Sequence, residues 1–183
     1  MSKKILVLKG SPRKNGNSDM MADAWIKGAE TNGHQVKVIR TADCNLSGCR
    51  ACNGCWNSGG NCVIKDDMTE IEKALEEANV LVVASPLYWS MVPSELKAVF
   101  DRIYQYDPQN GGKHLAIEDA VLLSCGETES EEDFDMIKKF FAGAVEFNGM
   151  KVKQVLIAPN MNHKGDITGS AYLKKAEELG LEI

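Results

Sequence analysis

Five short apolar runs, set apart by stretches of helical periodicity, restrict this chain to an α/β architecture. Residues 4–9 (KILVLK), 35–40 (QVKVIR), 80–84 (VLVVA), 120–124 (AVLLS) and 152–158 (VKQVLIA) read as strands. The run at 80–84 is wholly apolar, as expected of a strand buried on both faces at the centre of a parallel sheet. Helical patterns fall at 17–32, where Met21, Ala24, Trp25 and Gly28 share a face, and at 67–78, 93–104, 131–147 and 171–179. Asn17 or Ser18 is the expected N-cap of the first helix, and Asp66 and Asp67 suit the positive end of the second. Strands separated by helices imply a parallel sheet covered on both faces. Ligands of such sheets bind beyond the carboxyl ends of the strands, where the strand order reverses. That directs attention to the loops after the first, third and fourth strands.

No repeat, low-complexity tract or linker divides the chain, so residues 1–183 read as one domain with a cysteine-rich insertion at 44–62. A hydrophobic share of 44% and a charged share of 26% exclude a disordered chain. A net charge of −5 with no long basic stretch excludes the electrostatic footprint of a nucleic-acid binder. Lys3 and Lys4 are too few to hold an anionic membrane surface, and no segment reaches the roughly 18 apolar residues of a membrane span. The apolar run 5–8 is followed at once by Lys9 and Gly10, unlike a signal peptide. A cytoplasmic location is the expectation.

The first loop, 10–18 (GSPRKNGNS), joins a strand to a helix. Free N–H groups and the helix dipole at such a junction favour an anion. Ser11, Asn17 and Ser18 can donate hydrogen bonds, Gly16 allows close backbone approach, and Arg13 adds a charge. The loop is neither G-x-G-x-x-G nor a Walker loop, so a dinucleotide or ATP gains no motif support. The competing reading is a plain polar loop. The second loop, 85–93 (SPLYWSMVP), sets Tyr88 and Trp89 at a strand end, where flat side chains either border a ring system or cap the core or an interface. The third, 124–128 (SCGET), offers backbone N–H groups, or is an ordinary surface turn.

Cys49, Cys52 and Cys55 form C-x-x-C-x-x-C, and Cys62 follows after a stretch in which Gly59 and Gly60 let the chain fold back. Compact runs of this kind suit an iron–sulfur cluster, with one thiolate for each iron. A structural zinc and plain thiols are the alternatives, although zinc ribbons space their cysteine pairs farther apart. Cys44 lies outside the motif and reads as a buried small hydrophobe, while Cys125 stands alone. The histidines, His34, His114 and His163, are scattered and read as surface residues.

Across essentially its whole length the sequence resembles the flavodoxin-like NAD(P)H-dependent FMN reductases. The resemblance rests on GSPRKNGNS, SPLYWSMVP, CVIKDDM and APNMNHKGDI. It implies a three-layer sandwich with strand order 2-1-3-4-5 and FMN as cofactor. By that resemblance Ser11, Arg13, Asn17 and Ser18, with Asn15 and Gly16, hold the FMN phosphate. Pro86, Leu87, Tyr88, Trp89 and Ser90 line the ribityl chain and ring, and Gly126 and Glu127 close the pyrimidine edge. The cysteine spacing resembles the iron–sulfur flavoprotein branch, which implies a four-iron four-sulfur cluster on Cys49, Cys52, Cys55 and Cys62. NAD(P)H or a ferredoxin is then the donor, and a quinone, a flavin, a nitro or azo compound or a redox protein partner the acceptor. A homodimer or dimer of dimers is implied, with Trp56 at the interface if exposed. The rival readings are an FMN-only reductase with free thiols, a flavodoxin-type carrier without substrate turnover, and a zinc-stapled interaction module.

Overall fold

The computed structural model describes residues 2–107, 109 and 113–183. Among them, β1 (Lys4–Lys9), β2 (Gln35–Arg40), β3 (Val80–Pro86), β4 (Asp119–Cys125) and β5 (Lys151–Ala158) form one parallel sheet in the order β2-β1-β3-β4-β5. This is the flavodoxin-like order that the resemblance implies. Strand β1 pairs with both β2 and β3, so that Leu6 lies between Lys37 and Leu81. The alternation of side chains across a strand supplies two cores. Leu6, Leu8, Leu81, Val83 and Leu122 pack beneath α3 (Met68–Glu77), α4 (Ser94–Arg102) and α5 (Asp135–Phe147). Ile5, Val7, Val82, Ala84 and Leu123 pack beneath α1 (Asn17–Thr31) and α6 (Ala171–Leu181). The cysteine segment carries only the single turn α2 (Gly54–Asn57).

The structure departs from the sequence reading at element ends, for local reasons. The expected helix 131–147 is a 3-10 turn (Glu131–Phe134) followed by α5, because Ser130 Oγ accepts the Glu132 N–H at 3.1 Å and buried Phe134 pins the turn. Pro93 caps α4 from outside, and α4 gives way at Ile103 to a 3-10 turn. Asp66 stays at the start of α3, Oδ1 accepting the Met68 N–H at 3.1 Å, and also takes Arg102 Nη1 at 2.6 Å on Oδ2, while Asp67 accepts the Asn45 N–H at 2.7 Å. Trp25, fully buried, donates its indole N–H to Gln154 Oε1 at 3.0 Å and so ties α1 to β5. Since α1 leaves β1 for one face and α4 leaves β3 for the other, a cleft opens between them at the carboxyl edge of the sheet.

Candidate functional site

The first loop is shaped by its own polar groups. Gly10 N–H still bonds Ala84 O at 2.8 Å, so the sheet runs one step past β1 before the chain turns away. Ser11 Oγ then accepts the Arg13 N–H at 3.1 Å, and Gly16 N–H donates to Arg13 O at 3.0 Å. Asn15, in the left-handed region, donates its N–H to Asp19 Oδ2 at 3.1 Å. The expected cap is absent: Gly16 occupies the N-cap position of α1 with no side-chain bond. Asn17 is engaged elsewhere, Nδ2 donating to His163 O at 2.8 Å and Oδ1 accepting the Gly165 N–H at 2.9 Å. Among the described residues the start of α1 therefore has no side-chain cap, the arrangement that leaves first-turn N–H groups for an anion.

The cleft at this helix end has a volume of about 280 Å³. Ser11, Arg13, Gly16, Asn17 and Ser18 line it from the first loop, Pro86, Leu87 and Tyr88 from the second, and Gly126 and Glu127 from the third. Trp89 and Ser90 lie beyond, in a depression of about 540 Å³ that shares Leu87, Tyr88 and Glu127 with the cleft. Asn15 lines neither; its part is the turn. The sequence reading did not single out four residues of the cleft: Cys125, Met161, Asn162 and Lys164. The last three belong to APNMNHKGDI, a segment whose place after the fifth strand was a signal that it ends beside the other loops.

The second loop closes as a two-residue hairpin turn. Tyr88 and Met91 exchange backbone bonds of 2.8 and 3.0 Å, and Trp89 and Ser90 take φ of +49° and +64°. Two positive φ values suit Asn-Gly; on a bulky aromatic they store strain, as loops at functional sites do. Trp89 is 99% exposed on the rim of the depression. Gly126 joins the third loop to the second so closely that a Cβ there would stand 2.9 Å from Leu87 Cβ.

Glu127 is the acidic residue of the cleft lining, and positive charge at the cleft comes from Arg13 and Lys164. Among the described residues neither has a carboxylate within salt-bridge distance, whereas Lys14 pairs with Asp43 at 3.4 Å and Lys9 with Asp23 at 2.5 Å. Arg40 supports the loop from below, bonding Asp19 and, at 3.0 Å, Ser11 O. Cys125 lies on the cleft floor, where burial pushes its thiol up to about 12 against contacts from Ser18.

Cys49, Cys52, Cys55 and Cys62 all border one small cavity of about 30 Å³ beside Arg102 and Tyr104. Gly59 and Gly60, at φ of +72° and +88°, turn the chain back as expected. Cys49 and Cys52 are exposed, Cys55 and Cys62 half-buried, and burial raises the Cys55 thiol. Among the described residues no three of the Cys, His, Asp or Glu side chains are arranged to hold a metal ion. Cys44 is half-buried, not buried, because its loop leaves the core; its thiol lies 3.3 Å from Arg40 O. Trp56 is exposed and lies against Tyr104 with the rings tilted and their centroids 5.1 Å apart.

Residues 3–158 match the family model of the NADPH-dependent FMN reductases. The chain belongs to that family. It is 34% identical over 113 residues to an iron-sulfur flavoprotein of Archaeoglobus fulgidus, covering 61% of this chain and 51% of that protein. An iron-sulfur flavoprotein of Methanosarcina thermophila is 35% identical over 99 residues, 54% of this chain and 51% of its own. The chain thus spans about half the length of these relatives. Among solved structures, the NAD(P)H:quinone oxidoreductase from Methanothermobacter marburgensis superposes with a TM-score of 0.76 at 23% identity, over 100% of this chain and 96% of that one. An azoreductase from Bacillus anthracis gives 0.75 at 18%, over the whole of both chains. At these identities the likeness is one of fold.

All three loops of the cleft fall inside the span this chain shares with the FMN reductases, whereas Met161, Asn162 and Lys164 fall outside it. No histidine lines the cleft of this family member: His114 and His163 are exposed. His34 is half-buried and accepts the Lys3 N–H at 3.1 Å, and burial, then Lys3, lowers its pKa. No helix among the described residues is long and apolar enough to cross a membrane.

Proposed function

We propose that the protein holds FMN in this cleft and acts as an NAD(P)H-dependent reductase of a small acceptor such as a quinone or an azo compound. One observation carries the reading. An uncapped helix end beside Ser11 and Arg13 opens, through walls shared by Leu87, Tyr88 and Glu127, into a depression edged by Trp89. An anion-binding end continuous with an aromatic-edged slot suits a molecule with a phosphate at one end and a flat ring at the other. Bound FMN would supply the hydride and electron chemistry, and the protein its orientation and surroundings. Helix α1 and Arg13 fix the phosphate, Gly126 lines the cleft while leaving room for Leu87 behind it, and the open depression leaves one face for donor and acceptor in turn.

The test is direct. Protein purified from cells should carry FMN, seen in its visible absorption, and should oxidise NADPH or NADH faster when a quinone is added. A protein with no affinity for FMN overturns the reading, and one that binds FMN without turnover is a carrier. Arg13→Ala is expected to weaken FMN binding roughly tenfold or more, the worth of one hydrogen bond to a charged group. Fluorescence titration measures it, and unchanged affinity would remove Arg13 from the site.

The cysteine spacing, the single cavity that the four thiols border and the names of the 34–35% identical relatives support an iron–sulfur cluster here as well. The sulfurs would have to draw together to bind it, and the FMN chemistry above does not need it. Protein prepared without oxygen is expected to hold about four iron and four sulfide per chain, and Cys52→Ala to lose the iron while keeping FMN. Iron near zero with FMN bound would make this an FMN-only reductase with free thiols.

A further inference from the structure

The segment 159–170, between β5 and α6, is built as a wall of the cleft. At its start Asn160 N–H donates to Thr128 O and Met161 N–H to Gly126 O, each at 2.8 Å, which ties it to the third loop. In its middle Asn17, the first residue of α1, takes hold of both His163 O and Gly165 N–H. Ile167 is fully buried against the α1 side of the sheet. At its far end α6 lies on α1 backbone to backbone: a Cβ on Gly28 would stand 2.1 Å from Glu177 O, and one on Gly180 2.0 Å from Trp25 O. Helix α1 therefore fixes both the anion-binding N–H groups and this segment.

The wall carries Lys164, which with Arg13 makes up the cationic lining of the cleft among the described residues. A phosphate monoester carries about 1.5 to 2 negative charges at neutral pH, so one guanidinium leaves it under-neutralised. We propose that segment 159–170 completes the phosphate end of the site and that Lys164 is the second phosphate cation, selecting FMN over riboflavin. Asn17 is the positioning residue that brings it there. The proposal rests on the FMN reading above and extends it beyond the span matched to the family.

The experiment compares FMN and riboflavin affinities of the full chain, stripped of flavin, by fluorescence titration. Lys164→Met is expected to weaken FMN about tenfold, one charged contact, and to leave riboflavin unchanged. Lys164→Arg should keep the preference. Asn17→Ala should lose a similar factor for FMN, after which Lys164→Met should add little, since the two act as one unit. Because Lys164 is exposed, its variant folds, and its result stands if Asn17→Ala does not. An unaltered FMN-to-riboflavin ratio in Lys164→Met, or an equal loss for both flavins, overturns the proposal while FMN binding by the unaltered protein keeps the cofactor reading. If the unaltered protein binds neither flavin, both fall.

Discussion

Replacing Arg102 with methionine is expected to destabilise the protein by about 3–5 kcal/mol, the cost of stranding one partner of a buried ion pair. The Arg102 side chain is 1% exposed and that of Asp66 6%, with Arg102 Nη1 2.6 Å from Asp66 Oδ2. The same guanidinium donates to Ser47 O at 3.2 Å, Ile64 O at 3.1 Å and Cys62 Sγ at 3.4 Å. It thus grips the cysteine segment at both ends from the last residue of α4. Methionine keeps the length and loses every donor, leaving the buried Asp66 carboxylate without its cation, though still bonded to the Ser47 and Met68 N–H groups, and two carbonyls without this donor. Asp66→Asn in the same chain should recover part of the loss, because it removes the stranded charge. Urea denaturation measures both, and a loss below about 1 kcal/mol would mean that water replaces the clamp.

The acid limb of stability gives the same test a second axis. Burial alone would raise the Asp66 carboxyl, but Arg102 and the N–H groups of Ser47 and Met68 outweigh it and hold it below the usual carboxylate range. A group depressed on folding contributes fully above its unfolded value, about 3.9, and its contribution is lost as pH falls through the folded value. The unaltered protein should lose this share of stability below about pH 4, and Asp66→Asn should flatten that part of the curve.

Arg102 also shows where sequence reading stops. Its place in α4 resembles that of any charged helix residue, and only the fold brings Asp66 and Ile64 against it. Asn17 was legible as a polar residue of the anion loop, but its partner His163 lies 146 residues away. A local reading therefore assigned it the capping role that is cheapest nearby. The sheet was legible because 80–84 and 120–124 have no polar face, which only burial on both sides satisfies. The loops after β1, β3 and β4 followed from the topology. Segment 159–170 was marked only by its place after β5 and by the resemblance of APNMNHKGDI, and nothing local announces a wall held by backbone carbonyls and one distant asparagine. The Trp89–Ser90 turn was hidden for a related reason: it takes a conformation that its own residues disfavour and the surrounding loop must impose.

Gly180→Ala should cost about 3 kcal/mol, the upper end for overpacking, although the same change in an unconstrained helix gains stability. A mid-helix glycine replaced by alanine is favoured by roughly 1 kcal/mol on propensity alone. Gly143 in α5 is the control, with nothing within 4 Å of the position a Cβ would take, and there Gly143→Ala should stabilise. At Gly180 the new carbon would stand 2.0 Å from Trp25 O, a backbone atom in the middle of α1 that no rotamer change can move. The helices must separate, and the buried faces of both open with them. Because α6 continues directly from segment 159–170 and α1 carries the first loop, the separation should also weaken FMN while moving riboflavin less. Thermal unfolding of the two variants gives opposite signs if the helix contact governs. A stabilised Gly180→Ala would mean that α6 can slide along α1, and the wall it anchors would then be a loop free to adjust to whatever the cleft holds.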